Sequence, residues 1–431
     1  MAARKRRSIP EINRRLADGE AVVMTAADIC DDLRSGRRVR FEDVDVVTAS
    51  TCGLMSGTYA VLSFPFSEPD RFVKAKRIFF NGVEADPGPC PNERIGVVDA
   101  IVHGTRRSSR DPDYGGGHLF QDLVAGKPVV VQVVTDGGNT LQSEITLDRI
   151  PHAVLHGSRH AFRNYVGFVN PGPEPMPTIF CSQPLPGAMA GATACGCGEI
   201  NPIQKDPELR TIGIGTRILL NGGTGYVTGS GTRSSRNRPC LSVVADMHGM
   251  RPDLMGGFRT SAGPEVIQTW AVPIPILDSD VLKTVKTLDE EIPLVITNIH
   301  GRSPLSEATY ADLWFGTSRH FGFDRRRCET VRGGCPDCPP ALLCPSGAFT
   351  EERVGIEARS CYHCGICAVS CHGGCFTGDI GGVFVEETFV PFVQRLSDRV
   401  SAEAAARDLK TRILAGRFRL SQPVGRIDPG S

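Results

Sequence analysis

Hydrophobic and polar positions alternate with two periods along this chain, and the change of period marks out its elements. Ser8-Ile-Pro-Glu11 has the spacing of a capping box, Ser8 as N-cap and Glu11 reaching back, which predicts a helix running through Leu16. Val44 to Thr48 is a β-branched run that reads as a buried strand. It feeds into Thr51-Cys52-Gly53-Leu54-Met55-Ser56-Gly57, read as a small-residue turn followed by a helix start. Further strands are expected at Arg77 to Phe80, Pro128 to Val134, Arg217 to Leu220, Leu241 to Ala245 and Trp270 to Ile276, separated by Gly- and Pro-rich segments. No regular βαβ repeat joins them. The pattern predicts one large mixed α/β domain over residues 1–325, with long functional loops. Arg325-Arg326-Arg327 marks the change to a cysteine-rich module, 326–385. In the closing segment, 386–431, Leu396, Val400, Ala404, Leu409 and Ile413 recur at helical spacing and predict an amphipathic helix over Val390 to Ala415.

Composition narrows the class. At 431 residues and 40% hydrophobic, the chain buries a sizeable core without disulfides, so its 16 cysteines need another explanation. Lys plus Arg equals Asp plus Glu at 48 each, which gives no general attraction for nucleic acid or an anionic membrane. No apolar run reaches the roughly 20 residues that span a bilayer, and Met1 to Arg15 lacks a hydrophobic export core, so a cytoplasmic location is expected. The basic run Arg4 to Arg7 reads as a solvated arm without function.

In a reducing compartment, clustered thiols bind metal or do chemistry. Nine of the cysteines fall between Cys328 and Cys375. Cys361-Tyr-His-Cys364-Gly-Ile-Cys367-Ala-Val-Ser-Cys371 has the C-x2-C-x2-C-x3-C spacing by which bacterial ferredoxins wrap a [4Fe–4S] cluster. Three closely spaced thiolates, on a turn made pliable by Gly365, each reach a different iron. Cys344, followed by Pro345, reads as the crossing fourth ligand, which assigns Cys344, Cys361, Cys364 and Cys367 to a first cluster. Cys328, Cys335, Cys338 and Cys371 are the candidate ligands of a second, with Cys375 competing for the place of Cys371. The pattern thus predicts a small ferredoxin-like, di-cluster domain. Zinc is the alternative, since Cys335/Cys338 and Cys361/Cys364 have nearly zinc-ribbon separation, but it leaves Cys367 and Cys371 unexplained. An electron donor such as a ferredoxin or an oxidoreductase is the partner this module implies.

Four segments of the large domain carry a resemblance. Val44-Asp-Val-Val-Thr48, Tyr114-Gly-Gly-Gly-His118 with Asp122-Leu-Val-Ala-Gly126, Arg163-Asn-Tyr165, and Asp206-Pro-Glu-Leu-Arg-Thr-Ile-Gly-Ile-Gly-Thr-Arg217 are similar to the archaeal and bacterial homocysteine biosynthesis proteins, in order, over most of residues 8–280. With its cysteine-rich tail the arrangement resembles most the methanogenesis marker 16 metalloproteins. The resemblance implies sulfurtransferase chemistry of the L-aspartate semialdehyde type, with sulfide and a small carbonyl compound as substrates. It also implies a reactive cysteine in a Met-Cys-Ser-Ser-Gly segment, where this chain has Ser56, and a second after Thr-Asp, where it has Gly137.

Cys52, four residues before Ser56, is then the candidate relocated nucleophile, one helical turn away and near a helix N-terminus that favours its thiolate. A buried, inert thiol is the bland reading of the same residue. Cys195 and Cys197, in Cys195-Gly-Cys197-Gly-Glu199, are further candidates, and with Cys52 they suggest a three-thiolate site with an open position. Arg217 is the candidate carboxylate partner, His118 a candidate substrate-binding or acid–base group, and His248 beside Asp246 a weaker one. The glycines at 213, 215, 222, 223 and 225 read as turns. The expected function is sulfur incorporation into a small carbonyl substrate with electrons from the clusters. The alternative is a non-catalytic redox, sulfur-carrier or cofactor-maturation protein that serves a partner enzyme.

Overall fold

The computed structural model describes residues 6–88, 93–160, 162–328, 337–350 and 355–428. The first helix, Ile9–Ala17, begins at the Ser8–Glu11 capping box as expected. Arg7 is no solvated arm: its guanidinium donates to the carbonyls of Val44 and Phe41 at 2.8 Å each and pairs with buried Asp45 at 3.2 Å.

A 14-stranded, mainly antiparallel sheet forms the body. Its expected strands are found at Ala75–Phe80, Val129–Thr135, Arg217–Leu220, Leu241–Asp246 and Gly263–Pro275. The long strand Gly263–Pro275 pairs with Val46–Leu54 over nine residues, from Ile267 opposite Leu54 to Pro275 opposite Val46. Here the structure corrects the expectation for residues 51–57. The strand runs on through Leu54, and Met55–Gly57 is a turn into the strand Thr58–Pro65, with no helix start. Both Val46–Leu54 and its partner are buried on two faces, which is why their residues are apolar or small without alternation. Each fully buried Val, Leu or Ile contributes about 1.5–3 kcal/mol, and the main core holds dozens of them.

A second, 6-stranded sheet joins distant parts of the chain. Its strand Ala192–Ala194 pairs in parallel with Thr388–Arg395, so residues 390–395 are a strand and the closing helix is confined to Arg399–Leu414. That helix buries Ala402, Ala405, Ala406, Leu409 and Ile413. The alanines let it lie close on Val46–Leu54, where Thr48 and Ser50 donate hydroxyl hydrogen bonds to the carbonyls of Ala406 and Ala402.

The described part of the cysteine-rich region carries two short helices, Pro339–Leu343 and Ile366–Ser370, and the strand Phe376–Thr377 pairs with Gly322–Phe323. It is bound to the large domain through Arg259, whose guanidinium donates to the carbonyl of Cys344 at 2.6 Å, and through the amide of Arg395, which donates to the carbonyl of Cys364 at 2.8 Å. Among the described residues, no helix is long and apolar enough to cross a membrane.

Candidate functional site

Alternation along Val46–Leu54 decides what each residue of the Cys52 segment can do. Thr48 and Ser50 face the closing helix, and Cys52, two residues on, shares their face. Thr51 and Gly53 face the other way, into a cavity of about 500 Å³. Cys52 is fully buried, and burial, with Asp398 adding to it, pushes its thiol well above the ordinary range. The helix expected to start after Cys52 is absent, and the helix N-terminus beside it is that of the closing helix, whose Asp398 amide donates to the Cys52 carbonyl at 3.0 Å. Cys52 lies mid-strand, directly opposite Thr269.

Cys195 takes the place expected of Cys52, because it lines the cavity and remains 9% exposed. Its loop is held on every side. The Tyr310 hydroxyl donates to the Cys195 carbonyl at 2.5 Å, the Trp314 indole to that of Gly196 at 3.1 Å, and the Gly196 amide to the Ser397 hydroxyl at 2.7 Å. Gly196 has φ +124°, and a Cβ there would stand 2.4 Å from the Tyr310 hydroxyl, so the tight turn requires glycine. With the backbone so committed, the thiol is the free group of Cys195. Burial raises its pKa, and Arg302 acts against that rise.

Cys197 turns away from the cavity and packs on the backbone of Cys52, its sulfur 3.4 Å from the Cys52 carbonyl and 3.5 Å from the amide nitrogen. Burial holds its thiol at about 11. The three thiols do not converge, and among the described residues no group of three or more His, Cys, Asp or Glu side chains stands at metal-ligating distances. Beneath this loop lies a buried ion network: Arg399 binds Asp289 at 2.5 Å and Glu199 at 2.6 Å, while Arg34 binds Glu199 and Glu290. It ties the closing helix to the residues that follow Cys197.

Ser56 also lines the cavity, and its hydroxyl donates to the buried Glu265 carboxyl at 2.7 Å. Burial raises the Glu265 pKa to about 7, with the Ser56 hydrogen bond opposing the rise. Gly57 permits the turn to approach Arg159, whose backbone nitrogen and Cβ would lie 2.8 Å from any added Cβ. Gly137, the other position where the resemblance implies cysteine, sits in the turn between Val129–Thr135 and Thr140–Ile145 and does not line the cavity.

The remaining walls bring Arg159, Arg233 and Arg302 together. These arginines escaped the sequence reading. Arg217 does not join them; its guanidinium stacks 4.6 Å from the Phe418 ring, and its amide donates to Ser421. His118 lies elsewhere too, at the start of the helix Gly116–Val124, where its Nδ1 accepts from the Gly115 amide at 3.1 Å. Burial lowers its pKa to about 4. His118 faces a separate polar cleft that also includes Arg251, Glu357 and Arg359. His248 is held by Asp246 at 2.6 Å, outside the cavity.

In the cysteine-rich region, the Cys344 thiol stands near enough to Cys361, Cys364 and Cys367 to raise their pKa values, on top of burial. Gly365 has φ +80° as it leads into the helix Ile366–Ser370, in keeping with its expected role as the pliable turn. Cys328, Cys338, Cys371 and Cys375 line one small cavity with Phe323, Phe349 and Phe376. Cys335 lies outside the described residues. Tyr362, between Cys361 and His363, is buried in the main core against Phe258, with ring centroids 6.3 Å apart.

A family profile described as homocysteine biosynthesis enzyme, sulfur-incorporation, matches residues 21–420, well beyond the segments that carry the resemblance in the sequence. An uncharacterized protein of Methanothermobacter thermautotrophicus is 42% identical over 413 residues, covering 96% of this chain and 94% of its own. One of Methanocaldococcus jannaschii is 35% identical over 406 residues, 93% of this chain and 99% of its own. The L-aspartate semialdehyde sulfurtransferase of Methanosarcina acetivorans is 30% identical over 325 residues, 72% of this chain but 63% of its own length. No solved structure matches. With a match that spans the cavity, the closing helix and the cysteine-rich region alike, the chain belongs to the homocysteine biosynthesis, sulfur-incorporation family.

Proposed function

We propose that the chain converts a small aldehyde to a thiol in the cavity that Cys195 and Ser56 share, using sulfide and two electrons. The observation that carries this reading is their meeting in one arginine-lined space, Ser56 at the position where the resemblance implies the reactive cysteine. In net terms an aldehyde, hydrogen sulfide, two electrons and two protons give a primary thiol and water, so the reaction needs a nucleophilic sulfur, a proton donor and a reductant. Cys195, held in place by the Tyr310, Trp314 and Ser397 hydrogen bonds, supplies the thiol that adds to the carbonyl carbon. Hydrogen sulfide then replaces the hydroxyl, which leaves as water, the Cys195 thiol departs to give a thioaldehyde, and two electrons and two protons reduce that to the thiol product. Protonated Glu265 turns its hydrogen bond towards the Ser56 oxygen, which frees the Ser56 hydroxyl hydrogen for the carbonyl oxygen.

The electrons are assigned to the cysteine-rich region. The residue types suit [4Fe–4S] clusters, although the described thiols do not stand at metal-ligating distances: four, Cys344, Cys361, Cys364 and Cys367, share one neighbourhood, and four more, Cys328, Cys338, Cys371 and Cys375, surround one apolar space. In that second set Cys375 joins the expected Cys328, Cys338 and Cys371. Burial disfavours the free thiolates of Cys361, Cys364 and Cys367, and a coordinating cation inverts that preference. Bound clusters would supply electrons singly at low potential. Tyr362 and the Arg395 amide fix the first set against the wall of the large domain that carries Ser397 and Gly53.

Anaerobic incubation with labelled sulfide, titanium(III) citrate and a panel of small aldehydes, with iron counted per chain, tests both parts. A labelled thiol product from iron-loaded protein is expected. A colourless, iron-free protein that still forms the thiol refutes the electron assignment, and a loaded protein that labels nothing in the panel refutes the sulfur reading.

A further inference from the structure

Substrate charge is written into the cavity walls. Arg159, Arg233 and Arg302 line it, and its described lining includes no Asp or Glu. None of the three is ion-paired with a described residue, whereas the buried Arg399 of the same protein has carboxylates on two sides. The Arg159 Nε is buried without a hydrogen-bond partner. Arg302 lies over the rings of Phe168 and Phe180, 4.7 and 4.8 Å from their centroids, and donates to the Tyr165 hydroxyl at 3.3 Å. These contacts aim the guanidinium and leave its charge unmatched.

The backbone adds an independent observation. Arg233 (φ +62°), Arg302 (φ +58°) and the lining residue Asn164 (φ +55°) all occupy the left-handed region, which disfavours side chains such as arginine. Such residues gather where a fold holds a side chain in one place for function.

No carboxylate stands in the described lining to face a positive group. Asn164 spends its Oδ1 on the Gly198 amide, and Asn201 spends its Oδ1 on the amides of Ile203 and Gln204. Glu265 stands behind Ser56, bonded to it. L-Aspartate semialdehyde, after which the sulfurtransferase relatives are named, carries an ammonium group as well as a carboxylate, and no carboxylate lines the cavity to meet that ammonium.

We infer that the substrate of this chain is an aldehyde bearing two acid groups, or one acid group beside the aldehyde, and no ammonium group. This rests on the cavity being the substrate site proposed above. Half-buried Arg159, together with Arg302, which is exposed but aimed by its ring contacts, grips the acid groups, and Arg233, also exposed, draws them in.

Calorimetric titration of the full chain, purified without oxygen, with succinate, L-aspartate and butyrate tests the inference without turnover. Succinate is expected to bind at least tenfold tighter than L-aspartate and than butyrate. Arg302→Gln and Arg159→Gln each weaken succinate about tenfold or more. Arg233→Gln, at an exposed position, weakens it less and serves as the variant that leaves folding intact. L-Aspartate binding as tightly as succinate, no succinate binding, or succinate binding indifferent to all three variants overturns the inference. The two readings fail separately. Sulfur entering L-aspartate semialdehyde in preference to succinic semialdehyde defeats this one alone, while discrimination as expected with no sulfur incorporated defeats only the proposed reaction.

Discussion

The cavity around Cys195 and the cysteine-rich region differ in what holds them together. Around Cys195, hydrocarbon packing, committed backbone groups and a buried ion network fix the loop from all sides. The cysteine-rich region has a core of cysteines with Ala348 and three phenylalanines, Phe323, Phe349 and Phe376, whose ring centroids lie 4.9–5.2 Å apart. So little hydrocarbon gives a small unit scant stability of its own. On the cluster assignment proposed above, one sulfur-bearing region is preorganised by the chain, while the other depends on what its thiols bind.

The largest effect expected from this contrast is all-or-none. Replacing Cys364 with Ala, or stripping iron with a chelator, leaves residues 337–385 open to limited proteolysis while the large domain keeps its unfolding transition. A cysteine-rich region that resists protease without metal breaks the comparison. Next, Arg399→Ala leaves Asp289 buried without its cation and Glu199 with Arg34 alone, which costs about 3–5 kcal/mol of the large domain's stability in a denaturant titration. A loss within error of zero means the network does not brace the Cys195 loop.

Glu265 gives a third, pH-dependent effect. Its folded pKa of about 7 lies above its ordinary 4.5, so its contribution to stability is complete below about 4.5 and is lost as pH rises through 7. That amounts to roughly 3 kcal/mol across the window. Glu265→Gln should abolish this dependence and be the more stable protein at pH 8. Parallel curves for the two proteins exclude a raised Glu265. Smallest is Ser56→Ala, which removes one hydrogen bond worth about 1 kcal/mol and, by deleting the group that lowers the Glu265 pKa, moves the midpoint of the pH curve upward. A downward movement contradicts the pairing.

Much of the fold was legible where local signals agree with tertiary packing. The Ser8 cap and the strand Arg217–Leu220 were placed as found. Val390–Arg395 was not, because an apolar run before a helix reads as its first turns, and only pairing with Ala192–Ala194, some two hundred residues away, makes it a strand. Thr51–Gly57 misled for a related reason. Small residues suggest a turn, yet here they serve close packing against a helix on one face and a cavity on the other.

Cysteine spacing drew attention to Cys195 and Cys197 but not to which of them faces the cavity. The arginines were illegible, since Arg159, Arg233 and Arg302 come from three separate segments and left-handed backbone at a non-glycine residue leaves no mark in sequence. Arg217 drew notice through a glycine-rich motif in which Gly222 sits in the hairpin turn while Gly223 and Gly225 lie in the strand Gly223–Ser230.

The most direct measurement compares two thiols in one reaction. Transfer of labelled sulfide to succinic semialdehyde by the reduced, iron-loaded protein should fall at least a hundredfold in Cys195→Ser and stay within about threefold in Cys52→Ser, since the second thiol faces away from the cavity. The reverse pattern, with Cys52 indispensable and Cys195 replaceable, contradicts it.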